Sequence, residues 1–135
     1  MMWLRRLLGL AKGPGRPSVG RRGERVAAEH LRKKGYRILE RNYHLGDDEA
    51  DIVALDPDGV TVALVEVKTR SAEFPTPEAG IDRNKQFHMV RLAARLMKQK
   101  RMEGRSIRFD AVAIVWLPGG KPDVRHYVGA FESPI

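Results

Sequence analysis

Cysteine is absent from all 135 residues, which excludes a disulfide framework, a thiolate zinc site and thiol redox chemistry, and agrees with a reducing, cytoplasmic setting. Long hydrophobic runs are missing as well. The apolar opening Met1-Met2-Trp3-Leu4-Arg5-Arg6-Leu7-Leu8-Gly9-Leu10 is split by two arginines and falls far short of the ~20 residues a membrane span needs, so it reads as a short amphipathic appendage. Surface association with anionic lipid is the minor alternative. There is no Gly-rich phosphate loop of a nucleotide-binding protein, no internal repeat and no low-complexity segment. The acids between Asp47 and Asp58 lack the spacing of a calcium loop, and His30, His44, His88 and His126 are too scattered for a zinc site.

Acidic residues are in deficit, 17 against 25 Lys and Arg, for a net charge of +8 and a pI of about 10.2. That balance favours a polyanionic partner. The surplus is local: residues 1–37 carry eleven Lys or Arg against only Glu24 and Glu29, whereas the other 98 residues carry fourteen basic and fifteen acidic groups. The basic end can grip a nucleic-acid backbone, with Arg21 and Arg22 among the candidates, or form a solvated tail and the wet face of a helix.

Along the chain, residues 12–20 hold three glycines and two prolines, so residues 1–20 read as a flexible basic segment and residues 21–135 as a single domain. Glu24, Ala27, Ala28 and Leu31 follow the i, i+3, i+4, i+7 stripe of an amphipathic helix from Arg21 to Lys34, with Gly35 as its C-terminal cap. A short extended piece, Tyr36 to Leu39, leads through a polar stretch to a hairpin. Its strands are Ala50–Leu55 and Val60–Thr69, joined by Asp56-Pro57-Asp58-Gly59. The second strand is apolar enough to be buried on both faces. A loop over 71–81 precedes a second helix, from an N-cap at Asp82 to Arg101, with an inner stripe of Gln86, Val90, Ala93, Ala94 and Met97. Strands follow over Ile107–Trp116 and around Val124–Val128. The order is α-β-β-α-β-β, an α/β domain.

Closing the hairpin at Leu55 and Val60 places Asp51 across from Leu64 and diagonal to Glu66. Strand alternation puts Glu66 and Lys68 on one face and turns Val65 and Val67 to the other. Two carboxylates gathered this way need a compensating cation, either Lys68 or a hard divalent ion such as Mg2+ or Mn2+. The ion would polarise a phosphoryl oxygen and acidify a bound water, and the lysine would orient the attacking hydroxide or stabilise the charged phosphate. A Glu-x-Lys on a strand is by itself the common pattern of a structural ion-pair cluster; the upstream Asp51 tips the reading toward phosphodiester hydrolysis. Glu24 adds a carboxylate on the inward stripe of the first helix, or caps that helix's first turn.

Gly23-Glu24, Gly35-Tyr36, Arg41-Asn42, Glu49-Ala50-Asp51-Ile52-Val53, Val65-Glu66-Val67-Lys68-Thr69-Arg70 and Arg108-Phe109-Asp110 together resemble the YraN family of small bacterial proteins, over roughly residues 20–131. That family is similar to archaeal Holliday-junction resolvases and to the wider PD-(D/E)xK nucleases. The resemblance implies a restriction-endonuclease-like core, a mixed central β-sheet flanked by helices, and cleavage of DNA or RNA with a divalent metal. Residue by residue, it makes Asp51 and Glu66 metal ligands, Lys68 the catalytic lysine, Glu24 the helix-one glutamate, and Val67 the donor of a backbone carbonyl to the metal. One departure stands out: the family's usual Gly-Glu-Ile-Asp is here Asp48-Glu49-Ala50-Asp51, which keeps the acids and loses the glycine and isoleucine.

Further candidates are less specific. Lys85 and Gln86 begin the second helix, where a phosphate is favoured, but an ordinary surface lysine and core-edge glutamine have the same look. Arg70 is a further candidate for contacting nucleic acid. Asp110 either buttresses Lys68 or Arg70 or pairs with the neighbours of Arg108. The leading expectation is a nuclease acting on structured or branched DNA, with a homodimer as the assembly that small resolvase-like nucleases often adopt. The alternative is a nucleic-acid-binding module that keeps the nuclease fold without turnover.

Overall fold

The computed structural model describes residues 18–71 and 81–132. Expectations for residues 1–17, for the 72–80 loop and for the Arg21 side chain lie outside what is described. Helix α1 spans Ser18–Lys33, so the last residues of the expected linker are its first turn. Ala27, Ala28 and Leu31 are fully buried. The helix ends as its sequence foretells: Gly35 adopts φ +92°, Gly35 N–H donates to the Arg32 carbonyl (2.9 Å) and Tyr36 N–H to that of Leu31 (3.0 Å), the paired bonds of a Schellman cap.

Five strands form one mixed sheet in sequence order: β1 (Arg37–Leu45), β2 (Asp48–Leu55), β3 (Thr61–Ser71), β4 (Ser106–Trp116) and β5 (Pro122–Tyr127). Only β3 and β4 are parallel, and α2 (Arg83–Met97) connects them. The expected short extended piece is thus a full nine-residue edge strand, and the element order gains a strand, α-β-β-β-α-β-β.

Alternation along the strands divides the core in two. Ile52, Ala54, Ala63, Val65, Val112 and Ile114 meet α1, whereas Val53, Leu55, Val62, Leu64, Phe109 and Ala111 meet α2. The helices therefore cover opposite faces, and β3, buried on both, is the centre of the domain.

Helix α2 corrects two expectations. The Asp82 side chain does cap it, accepting from Lys85 N–H at 2.8 Å. It stops at Met97, however, and residues Lys100–Met102 form a 3-10 turn that tucks Met102 into the core. Its buried stripe is Met89, Val90, Leu92, Ala93 and Leu96, while Ala94 and Met97 face solvent. The helix carries apolar residues nearly all round, so periodicity alone selects no unique face.

Candidate functional site

The hairpin register differs from the simplest closure. Asp58 Oδ1 accepts from the N–H groups of Val60 and Thr61 (2.8 Å each), and its Oδ2 accepts from the Thr61 hydroxyl (2.7 Å). These bonds draw Val60 and Thr61 into the loop, and the first ladder pair becomes Leu55↔Val62 rather than Leu55↔Val60. The slip is two residues, which preserves every face. It also moves Asp51 from a diagonal position to the next place in register opposite Glu66, just past the Ile52↔Val65 pair where the ladder ends.

At that point the Asp51 carboxylate takes over from the backbone: Oδ2 accepts the Val67 N–H at 2.7 Å. Ala50 and Val53 both belong to the α2-side core, so strand alternation is interrupted between them, at Asp51. The edge strand is distorted at the same level. Asn42, lying between the Arg41↔Ile52 and Tyr43↔Ala50 pairs, has φ +52°. Asparagine is among the few non-glycine residues that tolerate this conformation. In that register Asn42 stands opposite Asp51, so the two irregularities coincide.

Glu66 follows Leu64 on the α2 face, half-buried, and Lys68 is two residues further on. Their partners on β4 are the buried Ala111 and Ala113. Lys85, in the first turn of α2, reaches Glu66 at 3.6 Å and Glu49 at 3.4 Å, and Glu49 also meets His44 at 3.4 Å. Lys85 is thus engaged with the acids. Gln86 is held by the backbone, its Nε2 donating to the Ile81 carbonyl at 2.7 Å.

Glu24 is buried on α1, on the opposite side of the sheet, with Arg41 Nη2 at 3.9 Å. Among the described residues no three His, Asp or Glu side chains are gathered as a ready metal cage. What the structure brings together is the pair Asp51 and Glu66, with the Val67 backbone between them and Lys68 and Lys85 nearby. That oxygen set suits a hard divalent ion that keeps several waters, as Mg2+ does. Of the expected nucleic-acid contacts, Arg70 is exposed with Nη1 donating to the Thr69 carbonyl (3.0 Å), and the Arg22 guanidinium lies 4.3 Å over the Trp116 ring.

Two further clusters are built by contacts across the fold. Asp48 is fully buried and meets His88 Nδ1 at 2.7 Å, Arg91 Nε at 3.4 Å and Arg95 Nη1 at 3.7 Å. The spacing of those cations along α2 was the available clue. The other cluster lies on the α1 face, away from Glu66. Asp110 pairs with neither Lys68 nor Arg70 but with Arg108 itself, through two bonds of 2.8 Å, together with His126 Nε2 (2.8 Å) and the Gly129 N–H (3.0 Å). Arg108 also donates to Asp56 (2.7 Å) and to the Tyr36 hydroxyl (2.8 Å). Burial pushes the Asp110 carboxyl up, but the hydrogen bonds from Arg108, His126 and Gly129 outweigh it and hold the group at about 2.

A mixed five-stranded sheet between two helices, with an acid pair and a lysine where the hairpin ladder ends, defines an α/β protein with a restriction-endonuclease-like core. The family model described as "Uncharacterised protein family UPF0102" matches residues 23–114, and the chain belongs to that family, the one the YraN resemblance named. It is 39% identical over 121 residues to a UPF0102 protein of Trichlorobacter lovleyi, covering 89% of this chain and 94% of the relative. A UPF0102 protein of Moorella thermoacetica is 46% identical over 99 residues (73% and 80%), and one of Pelobacter propionicus 36% over 120 (88% and 86%). No helix among the described residues is long and apolar enough to cross a membrane.

Proposed function

We propose that the protein is a metal-dependent nuclease that hydrolyses phosphodiester bonds, with structured or branched DNA as the favoured substrate. The observation that carries this reading is the hairpin register, which sets Asp51 in line with Glu66 and ties its carboxylate to the Val67 N–H, with Lys68 beyond on the face of Glu66. Asp51 and Glu66, with the Val67 carbonyl, would hold Mg2+ or Mn2+, which when bound supplies an acidified water and charge neutralisation at the phosphate. The Val67 N–H fixes the Asp51 carboxylate. Lys68 orients the nucleophile and offsets phosphate charge, and Lys85 neutralises Glu66 and Glu49 before substrate arrives. Glu24 keeps an indirect role through Arg41.

Cleavage of labelled Holliday-junction, flap and single-stranded DNA and of RNA in Mn2+ tests this reading. Wild type cuts at least one substrate, and Glu66→Gln and Lys68→Ala lower the rate at least ~100-fold. Equal rates in all three proteins would overturn it. The second reading, a non-catalytic nucleic-acid-binding module, is favoured by Lys85, which already occupies the Glu66 carboxylate as a counter-ion. Salt-sensitive binding without cleavage of any substrate would establish it.

A further inference from the structure

Helix α2 presents an outer face that the acid pair does not use. Helix α2 carries four Lys or Arg and no Asp or Glu, and Lys98, Lys100 and Arg101 follow it directly. In the midst of that charge Phe87 is 58% exposed, with the Arg91 guanidinium 5.5 Å from its ring centroid. A phenylalanine this exposed on a strongly basic helix gains nothing from the core, which is filled by Met89, Leu92 and Leu96 from the other side.

A second observation points the same way. The buried Asp48 carboxylate faces His88, Arg91 and Arg95, two permanent cations and a histidine against one anion. Arg95 Nη1 also donates to the Leu45 carbonyl at 2.8 Å. Arg95 is thus anchored and Arg91 lies within ion-pair reach of Asp48, while both remain more than 40% exposed. Anchored, exposed guanidiniums with charge in excess of their partner are arranged for an anion, and their fork suits phosphate oxygens. The strip from Phe87 to Arg95 runs about 12 Å along the helix. It adjoins the acid pair directly, because Lys85 links α2 to Glu66, and Glu49 follows Asp48 on β2.

We propose that this face seats a nucleic-acid strand carrying an unpaired base, which stacks on the Phe87 ring while Arg91 and Arg95 contact the flanking phosphates. The proposal deepens the nuclease reading by naming the substrate class, strands with unpaired bases such as flaps or single strands, and rests on that reading for taking the polyanion to be nucleic acid. A base is free to stack on a side chain only where it is unpaired, and such stacking is tolerant of sequence. A lipid surface would need no positioned arginine, whereas the Leu45 carbonyl holds Arg95 in place.

Fluorescence anisotropy of the full-length protein, with a labelled oligothymidylate and a duplex of equal length in chelator, tests the proposal. Phe87→Ala weakens single-strand binding at least about five-fold and leaves duplex binding within about two-fold. Phe87→Trp restores single-strand affinity, and its emission is quenched on binding. Arg91→Ala and Arg95→Ala each lower the salt slope by about one on either ligand. Equal losses on both ligands in Phe87→Ala, or none, overturn the proposal, as does Phe87-dependent binding to phosphatidylglycerol vesicles with no binding to the oligonucleotides. Cleavage assays in Mn2+ separate the two ideas. Phe87-dependent single-strand binding without cleavage sinks the nuclease reading and leaves this surface standing; cleavage with no Phe87 dependence does the reverse.

Discussion

The two faces of the sheet use nearly the same residue types to opposite ends. On the α1 face, Asp110 is wholly buried and meets Arg108, His126 and the Gly129 N–H, so each oxygen has a fixed donor. On the α2 face, Glu49 and Glu66 are only partly buried and share Lys85 at 3.4 and 3.6 Å, beyond ideal hydrogen-bond length. The first arrangement is closed and leaves no room for a ligand. The second is loose, anionic and reachable, with counter-charges that can be exchanged. Donors fixed on both oxygens of a wholly buried acid mark the structural network, whereas the candidate site sets the partly exposed Glu49 and Glu66 beside the buried Asp51.

The comparison breaks most readily at Asp110. Asp110→Ala takes two hydrogen bonds from the Arg108 guanidinium, which keeps Asp56, and leaves His126 Nε2 and the Gly129 N–H without their partner, and stability measured by urea falls by about 3 kcal/mol. The effect depends on pH in a definite direction. The folded carboxyl is held at about 2, below its ordinary 3.8, so the unfolded chain takes up the proton first as acid is added. The stabilisation is complete above the unfolded value and disappears as pH falls from 3.8 to about 2. The gap between wild type and variant therefore closes over that window. A loss under ~1 kcal/mol at neutral pH would mean that the network is as loose as the other face.

A smaller effect sharpens the contrast at Gly23, where α1 touches β3 beside Lys68. A methyl group there would lie 2.6 Å from Thr69 Cγ2, so Gly23→Ala forces either the helix or the threonine to move. Overpacking of this kind costs about 1–2 kcal/mol, against the helix propensity that alanine gains. Thr69→Ser deletes the offending methyl and nothing else, so the double variant recovers most of the stability and any cleavage activity. Additive losses would show that the contact is not what Gly23 serves.

Much of this was legible in the residues. The α1 stripe, its Gly35 cap, the Asp82 cap, the buried strand β3 and the common face of Glu66 and Lys68 all follow from local periodicity and capping chemistry. What was hidden depends on partners distant in sequence. Strand β1 reads as polar because Glu40, Arg41 and Asn42 occupy an edge strand with a register shift near Leu39. The two-residue slip of the hairpin is made by one side chain, Asp58, whose alternative roles look alike in sequence. The inner face of α2 is ambiguous in sequence because Phe87, Ala94 and Met97 continue the apolar pattern onto the solvent side. The Asp48 cluster shows in sequence only as the spacing of cations along α2, and its acid joins them only when β2 is brought against α2.

The smallest effect is the most discriminating. Glu66→Gln removes one charge from a group of carboxylates that repel one another, while Lys85 keeps Glu49 as a partner at 3.4 Å. Lost attraction and relieved repulsion offset, so in chelator the melting stability of Glu66→Gln stays within about 0.5 kcal/mol of wild type. Added Mn2+ then separates the two proteins: it raises the wild-type Tm in proportion to the logarithm of its concentration, and leaves Glu66→Gln unmoved. A loss of ~2 kcal/mol or more in chelator would make Glu66 a structural ion-pair member of the same kind as Asp110, and the distinction between the two faces would collapse. Equal stability in chelator with a Mn2+ response confined to wild type would mean that these acids are kept for a cation rather than for the fold.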